Sequence, residues 1–146
     1  MEKKIERLST SLEMLMVKMK EVDDRCAALT ENINTKELGL INFVGHSGTV
    51  IMKQIADFMD IPMSTATGIV DKLVAKRYIM RAHSEEDRRT VVIQLTALGQ
   101  EAYQNYVDMK TDWSSRILTM LSPEESNLFI DLLEKISDHV DNLVPE

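Results

Sequence analysis

Cysteine, proline and glycine are all scarce in this 146-residue chain, and each scarcity excludes a class of protein. A single cysteine, Cys26, makes no internal disulfide, so the fold must rest on its own core rather than on covalent staples. Three prolines and five glycines leave few breaks, which suits long helices and argues against a loop-rich or disordered chain. No apolar run approaches the roughly 20 residues that a spanning helix needs, and no cleavable leader is visible, so a cytoplasmic protein without membrane contact is expected. A Gly-rich phosphate loop, a nucleophile elbow and paired His-Glu metal spacing are also missing, and the chain reads as a non-enzyme. His46, His83 and His139 are isolated from one another, so no metal or other cofactor is expected.

What is present is apolar surface and charge. Hydrophobic residues make up 44% of the chain and charged residues 28%. A chain of this length buries roughly two thirds of its unfolded surface as one domain. The formal net charge of −7 should repel phosphate, but its distribution is uneven. Residues 1–48 carry net −1, residues 49–95 net +1 and residues 96–146 net −7. Within residues 62–95 the balance is +2, a modest patch that would need two copies acting together.

The first segment suggests those two copies. Ile5, Leu8, Leu12, Leu15, Met19, Val22, Cys26 and Leu29 recur at alternating steps of three and four, the seam of a coiled coil. A helix packed on its own domain gives the same stripe, and both readings hold if it packs partly on its body and partly on a partner. Near the other end Ser122-Pro123-Glu124-Glu125 is a capping box. The helix it opens carries Phe129, Leu132, Leu133, Ile136, Val140 and Leu143 on one face, after a second amphipathic stretch with Leu98, Ala102, Tyr106, Met109, Trp113, Ile117 and Met120. These stripes call for a large partner surface, and a homodimer built from both ends is expected.

Between them lies a different pattern. Thr35 is expected to cap a helix running to about His46, where Gly45 and Gly48 break the periodicity. After an extended piece at residues 49–51, a short helix with Ile55, Ala56, Phe58 and Met59 leads to a turn at Asp60, a residue type that tolerates left-handed backbone. Pro62 suits the entry to a second helix, with Ala66, Ile69, Val70 and Leu73 buried and Ser64, Thr65, Thr67, Gly68, Asp71 and Lys72 outward. Short hydroxyl side chains at a helix start let the backbone approach a major groove, although helix starts are Ser/Thr-rich for capping alone. Residues 79–83 and 91–95 read as strands around a polar tip, Ser84 to Thr90. Arg88 and Arg89 at that tip suit a narrow minor groove, with the nearby carboxylate of Asp87 fixing the guanidinium. Lys53 and Arg81 join the same cationic set, and Lys76 is expected to act as a sequence-independent contact.

The run from Gln54 through Pro62–Leu73 to Tyr78-Ile79, then Asp87-Arg88-Arg89 and Val91–Gly99, resembles the multiple-antibiotic-resistance regulator (MarR) family. The specific part is Asp-x-Arg followed by a strand ending Leu-Thr-x-x-Gly. The resemblance implies a mainly α fold with a small β-hairpin wing: a winged helix-turn-helix lobe over residues 35–96, flanked by dimerisation helices at 1–30 and 97–146. It implies an obligate homodimer on a pseudo-palindromic operator in double-stranded DNA. It also implies that Arg89 enters the minor groove, that Asp87 orients it, and that Ser64, Thr65 and Thr67 face the major groove. Three positions depart from the pattern: Gly68 stands where a base-reaching side chain is frequent, Arg77 replaces a helix-ending Gly, and Met52 stands where Ser or Thr would cap. The expected function is transcriptional repression relieved by a small apolar or phenolic effector, for which the 10 methionines offer adaptable contacts, although methionine in a helical stripe is commonly plain core. Cys26, in an apolar seam with only Arg25 as a basic neighbour, reads as an inert thiol rather than a peroxide sensor. A winged-helix module that binds protein instead of DNA is the alternative.

Overall fold

The computed structural model describes residues 1–139. Its elements are α1 (Glu2–Leu29), α2 (Thr35–Ser47), β1 (Thr49–Val50), α3 (Met52–Met59), α4 (Met63–Ala75), β2 (Ile79–His83), β3 (Val91–Leu95), α5 (Ala97–Leu118) and α6 (Pro123–Ser137). They divide into two compact units, one spanning Met1–Val107 and the other beginning at Asp108.

The core of the first unit is built around α2. Leu38, Leu40, Ile41 and Val44 of this helix are fully buried, and burial of each such side chain contributes roughly 1.5–3 kcal/mol. Ile55 of α3, Ala66, Val70 and Leu73 of α4, and Ile79 and Ile93 of the sheet complete it. Ile69, expected to be buried, is only half-covered. The sheet has three antiparallel strands in the order β1-β3-β2, with Val50 opposite Ile93 and Arg81 also opposite Ile93 on the other side. The extended piece after α2 is therefore a strand, two residues long, and not merely a connection.

Two details of α2 differ from expectation. Its cap is Asn34, not Thr35: the Asn34 side chain accepts the Glu37 N–H at 2.9 Å, and the Glu37 carboxylate accepts the Asn34 N–H at 3.1 Å. Thr35 instead donates its hydroxyl to Asp24 of α1 at 2.9 Å. Gly45 does not break the helix; a Cβ there would collide with the Tyr103 ring, so the glycine permits the close approach of α5. The break falls at Gly48, whose φ of 83° is open to glycine.

In α1 only Cys26 and Ala27 are buried. Ile5, Leu8 and Leu12 of the seam are 57%, 60% and 47% exposed and Leu29 is exposed too, so the single chain buries the seam fully only at Cys26 and half-covers Leu15 and Val22. In the second unit Ser122 and Glu125 form the expected capping box. The helix α6 buries no residue fully, and Leu132, Leu133 and Ile136 are largely exposed while Phe129 is half-covered. Val140 and Leu143, expected on the same stripe, lie outside the described residues.

Candidate nucleic-acid interface

The α3–α4 turn forms because the chain can reverse at Asp60. This residue is left-handed at φ 50° and ψ 51°, and the Ile61 N–H reaches back to the Ala56 carbonyl at 3.1 Å. With Ile51 in the capping position, α3 lacks a side-chain acceptor for its first amides; the Gln54 side chain partly compensates by accepting the Ile51 N–H at 2.9 Å. Pro62 then opens α4. Ala66, Val70 and Leu73 hold one face of α4 in the core, while Ser64, Thr65, Gly68, Asp71 and Lys72 are exposed. Thr67 is half-covered, and its hydroxyl donates to the Met63 carbonyl at 2.9 Å. A Cβ on Gly68 would meet nothing, so the middle of this outward face is bare.

The exit from α4 is strongly held. Arg77 is left-handed at φ 66°, with the Tyr78 N–H donating to Leu73 and the Arg77 N–H to Val74, both at 3.0 Å. This is the termination that glycine normally makes, accomplished with an arginine. On either side of it, Lys76 donates to both carboxylate oxygens of buried Glu37 at 2.8 Å, and the Tyr78 hydroxyl donates to the Glu31 carbonyl at 2.7 Å. The end of α4 is thus fastened to the start of α2 and to the α1–α2 corner. Lys76, expected as a surface contact, is committed to this internal pair because a carboxylate as buried as Glu37 requires a counter-charge. Burial alone would raise the Glu37 carboxyl, but the hydrogen bonds from Lys76 and Asn34, with the charges of Lys76 and Lys72, hold it below its ordinary value.

The hairpin tip is a built turn. Asp87 accepts the Arg89 N–H at 3.0 Å and the Thr90 hydroxyl at 3.3 Å, and the Ser84 N–H closes onto the Thr90 carbonyl at 2.9 Å. Asp87 therefore grips the backbone of Arg89 rather than its guanidinium. Among the described residues neither Arg88 nor Arg89 has an ion-pair partner, and both are exposed. Arg81 of β2, by contrast, is paired with Asp71 of α4. After the hairpin, Thr96 accepts the Gly99 N–H at 3.1 Å and caps α5, and a Cβ on Gly99 would collide with the Tyr78 carbonyl oxygen. The Leu-Thr-x-x-Gly run thus packs the end of the sheet against the α4 exit.

This order of helix, turn, helix and armed hairpin matches known proteins. Residues 31–90 fit the model of the MarR family. The chain is 30% identical over 115 residues to the HTH-type transcriptional regulator YfiV of Bacillus subtilis, covering 79% of this chain and 72% of that one. The chain belongs to the MarR family. Among solved structures, a MarR family protein from Bacillus stearothermophilus superposes with a TM-score of 0.84 at 18% identity, covering 97% of this chain and 98% of that one. Streptococcus pneumoniae FabT, in complex with DNA, superposes with a TM-score of 0.77 at 24% identity, covering 99% of this chain and 100% of that one.

Within this MarR fold, Ser64, Thr65, Gly68 and Lys72 share the outward face of α4, Lys53 is exposed on α3, and Arg88 and Arg89 are exposed on the hairpin tip. Neither the Asp71–Arg81 pair nor the Lys76–Glu37 pair follows from the sequence reading. Opposite charges ten residues apart on elements that must pack, Asp71 and Arg81, are a usable signal; Glu37 and Lys76, 39 residues apart, give none. Cys26 is 2% exposed, and burial followed by the charge of Asp23 pushes its thiol up, which disfavours the reactive thiolate. No cluster of metal-ligating side chains occurs among the described residues. None of their helices is long and apolar enough to cross a membrane.

Proposed function

We propose that this MarR-family transcriptional regulator works as a homodimer that grips a pseudo-palindromic operator, with α4 in the major groove and the hairpin tip in the flanking minor groove. One observation carries the reading: the outward face of α4 and the unpaired Arg88 and Arg89 belong to one lobe, while Lys76 and Arg81 of that lobe are already neutralised by Glu37 and Asp71. Free guanidiniums and a hydroxyl-bearing helix start on one lobe suit phosphate and groove edges better than they suit an apolar protein partner.

The exposed seam of α1 and the uncovered stripe of α6 support the dimer, since apolar patches of this extent usually mark an interface. Ile5, Leu8, Leu12 and Leu15 from α1, and Phe129, Leu132, Leu133 and Ile136 from α6, are the residues assigned to it. In such a dimer the two α4 helices reach successive major grooves only if they lie about 34 Å apart. An effector then acts by selecting a different separation. A cleft of about 40 Å³ lined by Asp23, Thr35, Leu38, Gly39, Asn42 and Tyr106 lies between α1, α2 and α5 of the first unit. Its volume is of the order of one water, so a phenolic molecule entering there would have to spread these helices. We place the chain among non-enzymatic regulators of the cytoplasm on its family.

Arg89→Ala tests the reading. Anisotropy titration on a duplex selected from a random pool should show binding weakened by at least about 1 kcal/mol, roughly a fivefold rise in Kd. Lys53→Ala should weaken all duplexes evenly and lower the salt slope by about 0.9 for each phosphate that is no longer neutralised. Wild-type protein that enriches no duplex from the pool would favour a protein-binding module instead.

A further inference from the structure

The outward face of α4 is poor in positive charge. Lys72 is the one basic residue within α4, and Lys76, just past its end, is committed to Glu37. Asp71 stands beside Lys72, seven residues after Ser64 and three after Gly68, a spacing that aligns all three on one side of the helix. Because Gly68 presents no side chain, the Asp71 carboxylate is the first long polar group behind the helix start on that row. Left alone it would meet the phosphates of any duplex that α4 entered, and like charges at such range are costly.

Arg81 answers this charge. It reaches across from β2, and its Nη2 lies 2.5 Å from the Asp71 carboxylate oxygen. The strand is well placed for this, because Ile79, two residues earlier in β2, and Ile93 of β3, directly opposite Arg81, are buried on the same face of the sheet while Arg81 at its edge remains exposed. From the sequence Arg81 groups with residues that contact DNA directly; its position against Asp71 indicates a different use.

We propose that Arg81 is a positioning residue for DNA binding that acts through Asp71: it neutralises the one carboxylate on the outward face of α4, so that the helix can approach a polyanion. Asp71 in turn limits binding to duplexes that α4 fits closely, because any looser approach sets its pair against phosphate without the compensating groove contacts. The inference rests on the DNA-binding reading above.

The test is a double-mutant cycle, with Arg81→Ala, Asp71→Asn and the two combined, on the selected duplex and on random-sequence competitor. The expected result is a loss of at least tenfold for Arg81→Ala, unchanged or tighter binding for Asp71→Asn, and a double variant within twofold of Asp71→Asn. Asp71→Asn should also bind random competitor more tightly than wild type does, so its specificity ratio falls. Thermal melting of each variant identifies any that fails to fold, and the Asp71→Asn background keeps the comparison informative if Arg81→Ala alone is unstable. A direct phosphate contact would instead lower affinity and reduce the salt slope by about 0.9 per protomer when Arg81 is removed from the Asp71→Asn background. That result overturns the proposal, as does an equal loss for both single variants, which would make the pair a plain strut. Arg89→Ala, measured alongside, separates the two readings: if it weakens binding while the cycle fails, only the role of Arg81 is wrong.

Discussion

At the scale of single residues the most informative position is Arg77. Its left-handed backbone closes α4 with two hydrogen bonds, yet an L-residue with a Cβ is strained there by roughly 1 kcal/mol. Arg77→Gly should therefore stabilise the protein by about that amount, read as a higher urea midpoint at unchanged slope. A lower midpoint would mean that the arginine side chain makes a contribution larger than the strain. The arginine at a glycine position is visible in the sequence, which allows either a left-handed arginine or a different exit from the helix; the backbone takes the first, and the neighbours that hold it there are not legible. Lys76 and Tyr78 bond to Glu37 and to Glu31, residues whose proximity depends on how α1, α2 and α4 come together. The cap of α2 is legible but easily misplaced, because Asn34 and Thr35 are both good capping residues and only Glu37, three positions after Asn34, distinguishes them.

At the scale of elements, the fastening between α2 and α4 has a pH signature. The Glu37 carboxyl is lower in the folded chain than in the unfolded one, so its pairing with Lys76 stabilises the fold at pH values above the ordinary carboxylate range. That stabilisation disappears as pH falls from about 4.5 through the depressed folded value, where Glu37 takes up its proton. Urea midpoints measured from pH 7 down to pH 3 should fall more steeply for wild type than for Glu37→Gln, and parallel curves would show that the pair is not a source of acid sensitivity. Helices α3 and α4 and strands β2 and β3 are readable because each has its own periodicity and a distinct stop, at Asp60, Pro62 and the Ser84–Thr90 tip. Strand β1 is readable only as an extended piece, since two residues have no period and the strand exists by pairing with β3, more than 40 residues away in sequence.

For the whole molecule, the decisive fact is how much apolar surface the single chain leaves open. The α1 seam is legible in the sequence as a stripe that its own domain covers only in part, and the exposed Ile5, Leu8 and Leu12 fit a partner there. Leu12→Asp should shift sedimentation from dimer toward monomer at micromolar concentration, and an unchanged dimer would move the interface elsewhere. The family supplies the fold and the regulatory class. In the proposed dimer the two lobes are held at one helical repeat of DNA. Hydroxyl-radical footprinting of the wild-type protein on its selected duplex measures that spacing directly. Two protected half-sites centred about 10 base pairs apart, each flanked by minor-groove protection that Arg89→Ala removes, are predicted. A single half-site, or protection that Arg89→Ala leaves intact, would contradict it.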